Sequence, residues 1–248
     1  MVITIGQQKG GVGKTTTALN LAVLARRGGQ QVLAVDIDPQ FALTRQLGIQ
    51  VKDLPVSIVD VLAGRVDASD AILTDVHGID VLPATRELGA VELALVGEVG
   101  REGFLREALD SLDYDLIVID TPPNLGLLTV NALVAADLVL APVSAGDEGA
   151  AQGLAELRAT IEKLKRLRPD LPELQVIITK WQPRRIMSDV IAQAIAELGA
   201  EPIAHIPARA LVERAAIERA PIALLAPDNS VSIAYQDLAE QLLAAPTR

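Results

Sequence analysis

The chain has 248 residues, half of them hydrophobic, a net charge of −10 and no cysteine. Its length and apolar content suit one folded domain with a large core and exclude a disordered chain; the missing cysteines exclude disulfides, thiolate metal sites, iron–sulfur clusters and cysteine nucleophiles. The acidic balance speaks against a wholly basic nucleic-acid binder, but the charge is uneven: residues 158–219 hold 11 basic and 8 acidic side chains, the remainder 11 and 24.

The first apolar run, VITI (2–5), ends at Gly6, too early for the apolar stretch of a secretory signal, and reads as a strand. GQQKGGVGKTT (6–16) follows and leads into TTALNLAVLARR (16–27), whose apolar residues fall at helical spacing and whose end is marked by Gly28-Gly29. Strand-like runs recur at QVLAVD (31–36), IDVLP (79–83), DLIVID (115–120), DLVLAPV (137–143) and LQVIITK (174–180). Helical patterns lie between them, at REGFLREALDSL (101–112) and EGAAQGLAELRATIEKLKRL (148–167). Near-continuous apolar strands separated by helices predict a doubly wound α/β fold, a mostly parallel sheet covered on both faces, as one domain over 1–248. Asp137 interrupts the longest apolar stretch, so no window reaches the roughly 18 residues of a membrane span, and the cytoplasm is the expected compartment.

The loop between the first strand and helix has the context of a phosphate-binding P-loop. Gly10, Gly11, Val12 and Gly13 would let backbone N–H groups and the helix N-terminus cradle phosphate oxygens. Lys14 would reach the β- and γ-phosphates of ATP, Thr15 would bind Mg²⁺ through its hydroxyl, and Thr16 continues the cradle. Two features are irregular: Gln8 stands where the motif has its first Gly, and a second lysine, Lys9, follows it. Carboxylates close two later strands, Asp36 with Asp38 just beyond it, and Asp120. Ligands of an open parallel sheet bind beyond the carboxyl ends of its strands. Asp36 and Asp120 are therefore expected at the Mg²⁺ shell, and Asp38 is placed to orient an attacking water. Any one of them alone would read as a turn former; three around a P-loop read as a site.

With KGGVGKTT (9–16), DIDPQ (36–40), IDTPPNLGLLTVNAL (119–133), VIITK (176–180) and the run from 206 to 243, the sequence resembles the ParA/Soj-type partition ATPases, within the deviant Walker A group that includes MinD. The resemblance implies an ATPase that dimerises with ATP sandwiched between subunits, Lys9 crossing to the partner's phosphates. It implies Asp38 as the catalytic switch aspartate, Thr179 and Pro207 at the adenine, and a ParB-like activator. It also implies nonspecific DNA binding through basic residues of the C-terminal half, for which Arg184, Arg185, Arg209, Arg214 and Arg219 are candidates and KLKRLR (163–168) a second cluster, and hence nucleoid association of the ATP form. Positioning of a cargo other than DNA would use the same motifs. MinD-like membrane cycling is disfavoured because the tail from 236 has Arg248 as its one cation. The chain departs from the family at Gln7 and at Phe41-Ala42-Leu43, which precede Thr44. His77 and His205 have no companion ligands in sequence, Trp181 is placed either near the base or over the core, and Glu87 and Glu92 read as a solvated helix face.

Overall fold

The computed structural model describes residues 1–147, 149–172 and 174–244, so Glu148, Glu173 and Arg248 lie outside the described residues. In chain order the strands are β1 (Val2–Ile5), β2 (Val32–Asp36), β3 (Leu73–Val76), β4 (Ile79–Leu82), β5 (Leu116–Asp120), β6 (Leu138–Ser144), β7 (Leu174–Trp181) and β8 (Pro202–Pro207). They form one sheet in the order β3-β4-β2-β5-β1-β6-β7-β8, parallel throughout except for the hairpin strand β3. The helices are α1 (Lys14–Arg27), α2 (Ala42–Gln46), α3 (Ile58–Leu62), α4 (Leu88–Leu95), α5 (Phe104–Asp110), α6 (Leu127–Ala135), α7 (Ala150–Leu164), α8 (Ile186–Glu197), α9 (Leu211–Glu218), α10 (Ile222–Leu225) and α11 (Ser230–Ala244).

The two-residue alternation of strand side chains builds two separate cores. On β2, Val32 and Ala34 join α1 and α11 on one face, while Leu33 and Val35 join α3 to α6 on the other. β5 repeats this with Leu116 and Val118 against Ile117 and Ile119. A third cluster seats α7 and α8 under β6 and β7. The doubly wound parallel sheet expected from the apolar runs is the observed one. No helix among the described residues is long and apolar enough to cross a membrane.

Three local devices matter for the site. α1 begins at Gly13 in the left-handed conformation (φ +95°) and ends at Gly28, whose N–H donates to the Leu24 carbonyl at 3.0 Å. α3 starts with a reciprocal cap, the Ser57 hydroxyl accepting from Val59 N–H and the Asp60 carboxylate from Ser57 N–H. α6 is capped from outside: Glu92 on α4 accepts the Leu128 N–H at 3.2 Å, and a Cβ at Gly126 would overlap that carboxylate. Glu92 is thus not part of a solvated face, correcting the expectation from sequence. The KLKRLR cluster for DNA also needs correction at its last residue. Arg168 is buried and donates to the carbonyls of Val134 and Ala136, both at 2.7 Å, at the end of α6.

Candidate nucleotide site

Because β1, β2, β5, β6 and β7 run parallel, the loops that follow them emerge at one end of the sheet. The loop after β1 carries Lys9 to Gly13, with Gly11 (φ +73°) and Gly13 in a backbone region that side chains rarely adopt. Its back is supported by Thr179 at the end of β7, whose hydroxyl donates to the Val12 carbonyl at 2.7 Å. A Cβ on Gly13 would stand 3.5 Å from the Thr179 methyl. Thr179 therefore packs on the phosphate loop itself. Pro207 is the register partner of Trp181 across β7 and β8, and the Trp181 ring lies 4.5 Å from that of His205. Burial pushes the His205 imidazole below its ordinary range.

Lys14 opens α1, is only 7% exposed, and donates to the Lys9 carbonyl at 3.0 Å. Burial pulls its ammonium pKa down, opposed by the charges of Asp120 and Asp38. Thr15 donates its hydroxyl to one oxygen of Asp120 at 2.7 Å. The other oxygen, Oδ1, is buried with no hydrogen-bond partner among the described residues. Asp36 and Asp120 are register partners on adjacent strands. Burial drives both pKa values up, that of Asp36 to about 6, and the charge of Asp36 adds to the rise at Asp120. Asp36 is largely committed: Oδ2 accepts Thr44 N–H at 2.8 Å and the Thr44 hydroxyl at 2.7 Å, and Oδ1 accepts Asp38 N–H at 3.1 Å. The Asp38 carboxylate accepts Gln40 N–H at 2.8 Å and stays nearly buried.

The donor set fits a hard divalent cation. Mg²⁺ sites combine one or two carboxylates with substrate phosphates, and here the unpaired Asp120 oxygen and the Thr15 hydroxyl stand together, with Asp36 behind them. Among the described residues, no three His, Cys, Asp or Glu side chains converge to hold a metal by themselves.

Lys9 stands apart from Lys14. Its side chain is 41% exposed, and its ammonium pairs with the Asp147 carboxylate beyond β6. Gly149 N–H donates to the same carboxylate, and a Cβ at Gly149 would overlap the Lys9 ammonium. Asp147, Gly149 and Thr44 were not singled out from sequence. The available signal for Asp147 was an Asp-x-Gly just past the carboxyl end of an inner strand. Thr44, directly after the stretch that departs from the family, was passed over with it.

The five candidate arginines are all exposed. Arg184 and Arg185 follow β7, Arg209 follows β8, and Arg214 and Arg219 lie on and after α9. β7 and β8 are parallel neighbours, which brings the first three to the nucleotide end of the sheet. Arg214 is paired with Glu218 at 2.6 Å, and Arg185 donates to the Gln182 side chain at 3.0 Å.

A family model described as an AAA domain matches residues 1–173. The chain is 37% identical over 249 residues to the sporulation initiation inhibitor protein Soj of Bacillus subtilis, covering 98% of each. It is 36% identical over 252 residues to the chromosome partitioning protein ParA of Caulobacter vibrioides, covering 98% of this chain and 94% of that one. Among solved structures, a cobyrinic acid a,c-diamide synthase from Mycobacterium smegmatis with bound ADP and magnesium superposes with a TM-score of 0.85 at 33% identity, covering 98% and 93%. A putative plasmid partition protein from Borrelia burgdorferi bound to AMPPNP gives 0.82 at 26% identity, covering 98% of each. Identity of this order across nearly the whole length of Soj and ParA, joined to a phosphate loop in the same fold, means that the chain belongs to the ParA/Soj family of P-loop nucleotide hydrolases.

Proposed function

We infer that this protein is a Mg²⁺-dependent partition ATPase, one domain over 1–248, whose ATP form is a homodimer that holds DNA without sequence preference. The observation that carries the reading is the second lysine. Lys14 lies inside the phosphate loop, while Lys9 projects at its rim, half exposed and held, among the described residues, by one carboxylate, from which a partner's phosphate can draw it.

Each group has a role that its surroundings support. The backbone from Gly10 to Thr16 cradles the phosphates, and Lys14 neutralises charge from within the chain. Thr15 and Asp120 hold the cation, with Asp36 behind them. When bound, Mg²⁺ would neutralise charge on the β- and γ-phosphates. Asp38 orients the attacking water, Thr179 backs the phosphate loop through its bond to Val12 instead of reaching the base, and Pro207 borders the base. Lys9 leaves Asp147 for the second subunit's phosphates, so closure depends on the γ-phosphate and hydrolysis releases it. Arg184, Arg185, Arg209, Arg214 and Arg219 give the dimer a doubled basic surface for DNA phosphates. A ParB-like activator accelerates hydrolysis and resets the cycle, in the cytoplasm and on the nucleoid. A relative matched over 94% of its length is named a chromosome partitioning protein, which favours this cargo.

The test is the mass of the protein in solution with ADP and with ATP, using the Asp38→Ala variant to stop turnover. A dimer with ATP alone, lost in Lys9→Ala, is the expected result. An oligomeric state indifferent to nucleotide would overturn the cycle.

A further inference from the structure

A second cavity lies away from the phosphate loop, on the sheet face covered by α3, α4 and α5. Its volume is about 1450 Å³. Small-molecule sites occupy about 300–1,000 Å³; this space instead matches about three turns of a helix 10–12 Å across. The floor is apolar, made by Val59 and Leu62 of α3, Val91 and Leu95 of α4, and Phe104 of α5. The rim is acidic: Asp67, Asp70, Glu87, Glu98 and Glu107 border it, against Lys52 and an Arg65 already paired with Asp60 at 3.0 Å. Beside Glu98 the apolar lip continues into solvent, with Val96 at 53% and Val99 at 95% exposure. An apolar trough edged by carboxylates is complementary to an amphipathic helix with lysine or arginine along its flanks.

The same α4 that walls the trough also reaches the nucleotide loops. A Cβ on Gly89 would stand 3.8 Å from the Pro39 ring, next to Asp38, and Glu92 caps α6 directly after the loop that follows Asp120. Behind it, Ala84 N–H donates at 3.0 Å to the Thr44 hydroxyl that holds Asp36. A helix seated against Ala90 and Ala94 thus presses on an element in contact with both carboxylate loops.

We propose that the α3–α4–α5 trough is the docking site for a basic amphipathic helix of a partner protein, and that α4 passes its binding to the Asp38 and Asp120 loops. The proposal rests on the ATPase reading for its consequence but not for its binding step.

The probe is a fluorescent peptide of about 15 residues, long enough to populate a helix, with Leu on one face and Lys on its flanks. Its anisotropy is titrated at low salt against the full chain. Two comparison peptides, one with the same composition in scrambled order and one with Glu replacing Lys, control for general attraction to an acidic protein; free spermidine is added as competitor. Glu98→Lys with Asp70→Lys, and separately Ala94→Trp, should each weaken binding at least about tenfold, a change of about 1.4 kcal/mol. Glu197→Lys with Glu201→Lys, on exposed positions elsewhere, should leave it within about twofold. ATP hydrolysis is followed in the same samples and should respond to the peptide in the native chain and not in the trough variants. Equal binding by the trough variants, equal binding of the scrambled peptide, displacement by spermidine, or no binding would each overturn the site. Binding in the trough without any change in hydrolysis overturns the coupling. A chain that binds the peptide there and hydrolyses no ATP overturns the ATPase reading and leaves the docking site standing.

Discussion

Asp36 and Asp120 sit side by side at the ends of two inner strands, both buried, and the sheet can hold two such carboxylates only by shifting their proton affinity. For Asp36, burial outweighs the three N–H and O–H groups that favour its charged form, leaving its pKa at about 6 instead of 3.8. The folded state therefore holds a proton that the unfolded chain has lost, so this group's stability contribution is fully present below about 3.8, shrinks as pH rises, and has gone above about 6. Asp36→Asn should flatten the fall in stability between those limits by about 2–3 kcal/mol, read as urea midpoints against pH with no nucleotide. Asp120 keeps part of the slope, and identical slopes in the two proteins would sink the assignment. Asp147 gives a second prediction at this scale. Its pair with Lys9 is partly exposed, so it is worth about 0–1 kcal/mol, and the proposed closure would break it in each protomer. Asp147→Asn, which still accepts the Gly149 N–H, should tighten the ATP dimer by about three- to tenfold in its dissociation constant, measured by sedimentation. An unchanged or weaker dimer would mean that Lys9 does not leave Asp147.

Elements show which part of the architecture the sequence specifies openly. The inner strands β1, β2, β4, β5, β6 and β7 stand out as apolar runs because both of their faces are covered. β3 and β8 do not, since edges follow other rules: β3 is LTDV with Asp75 at φ +58°, and β8 opens and closes on proline and shifts register against β7. The phosphate loop and its three carboxylates were legible because the loop follows β1, Asp36 and Asp120 end β2 and β5, and Asp38 lies just beyond β2. Thr44, Glu92 and Asp147 act across long sequence separations, and no local pattern marks such contacts. Arg168 shows the cost of reading charge alone. In KLKRLR it reads as part of a basic cluster for DNA, yet its guanidinium completes the carbonyl end of α6. Arg168→Ala leaves two buried acceptors without a partner and should destabilise the fold by about 2–4 kcal/mol, seen as a lower urea midpoint. Loss of DNA affinity with no loss of stability would return Arg168 to the basic surface.

At the scale of the whole molecule, the proposed DNA binding by an acidic chain draws on the places where its cations gather, and the proposed dimer would double them. The five arginines differ in how much positive charge they can offer. Arg214 is spent on Glu218, so its removal strips an ion pair that contributes little net charge. Arg184 and Arg219 stand exposed at the ends of a strand loop and of α9, each in a left-handed backbone conformation that turns the chain sharply there. Affinity for DNA falls with salt in proportion to the phosphates neutralised, with a slope of about −0.9 per contact. Removing both arginines from each protomer takes four contacts from a dimer, so Arg184→Ala with Arg219→Ala should flatten the slope by about 3–4 in the presence of ATP. Arg214→Ala should change it by less than about 1 per dimer. The measurement is a series of DNA titrations across salt concentrations with the Asp38→Ala background holding the ATP state. Equal slopes for the double variant and its parent would move the DNA surface off this end of the sheet. A steep loss with Arg214→Ala would show that Glu218 releases its partner when DNA arrives.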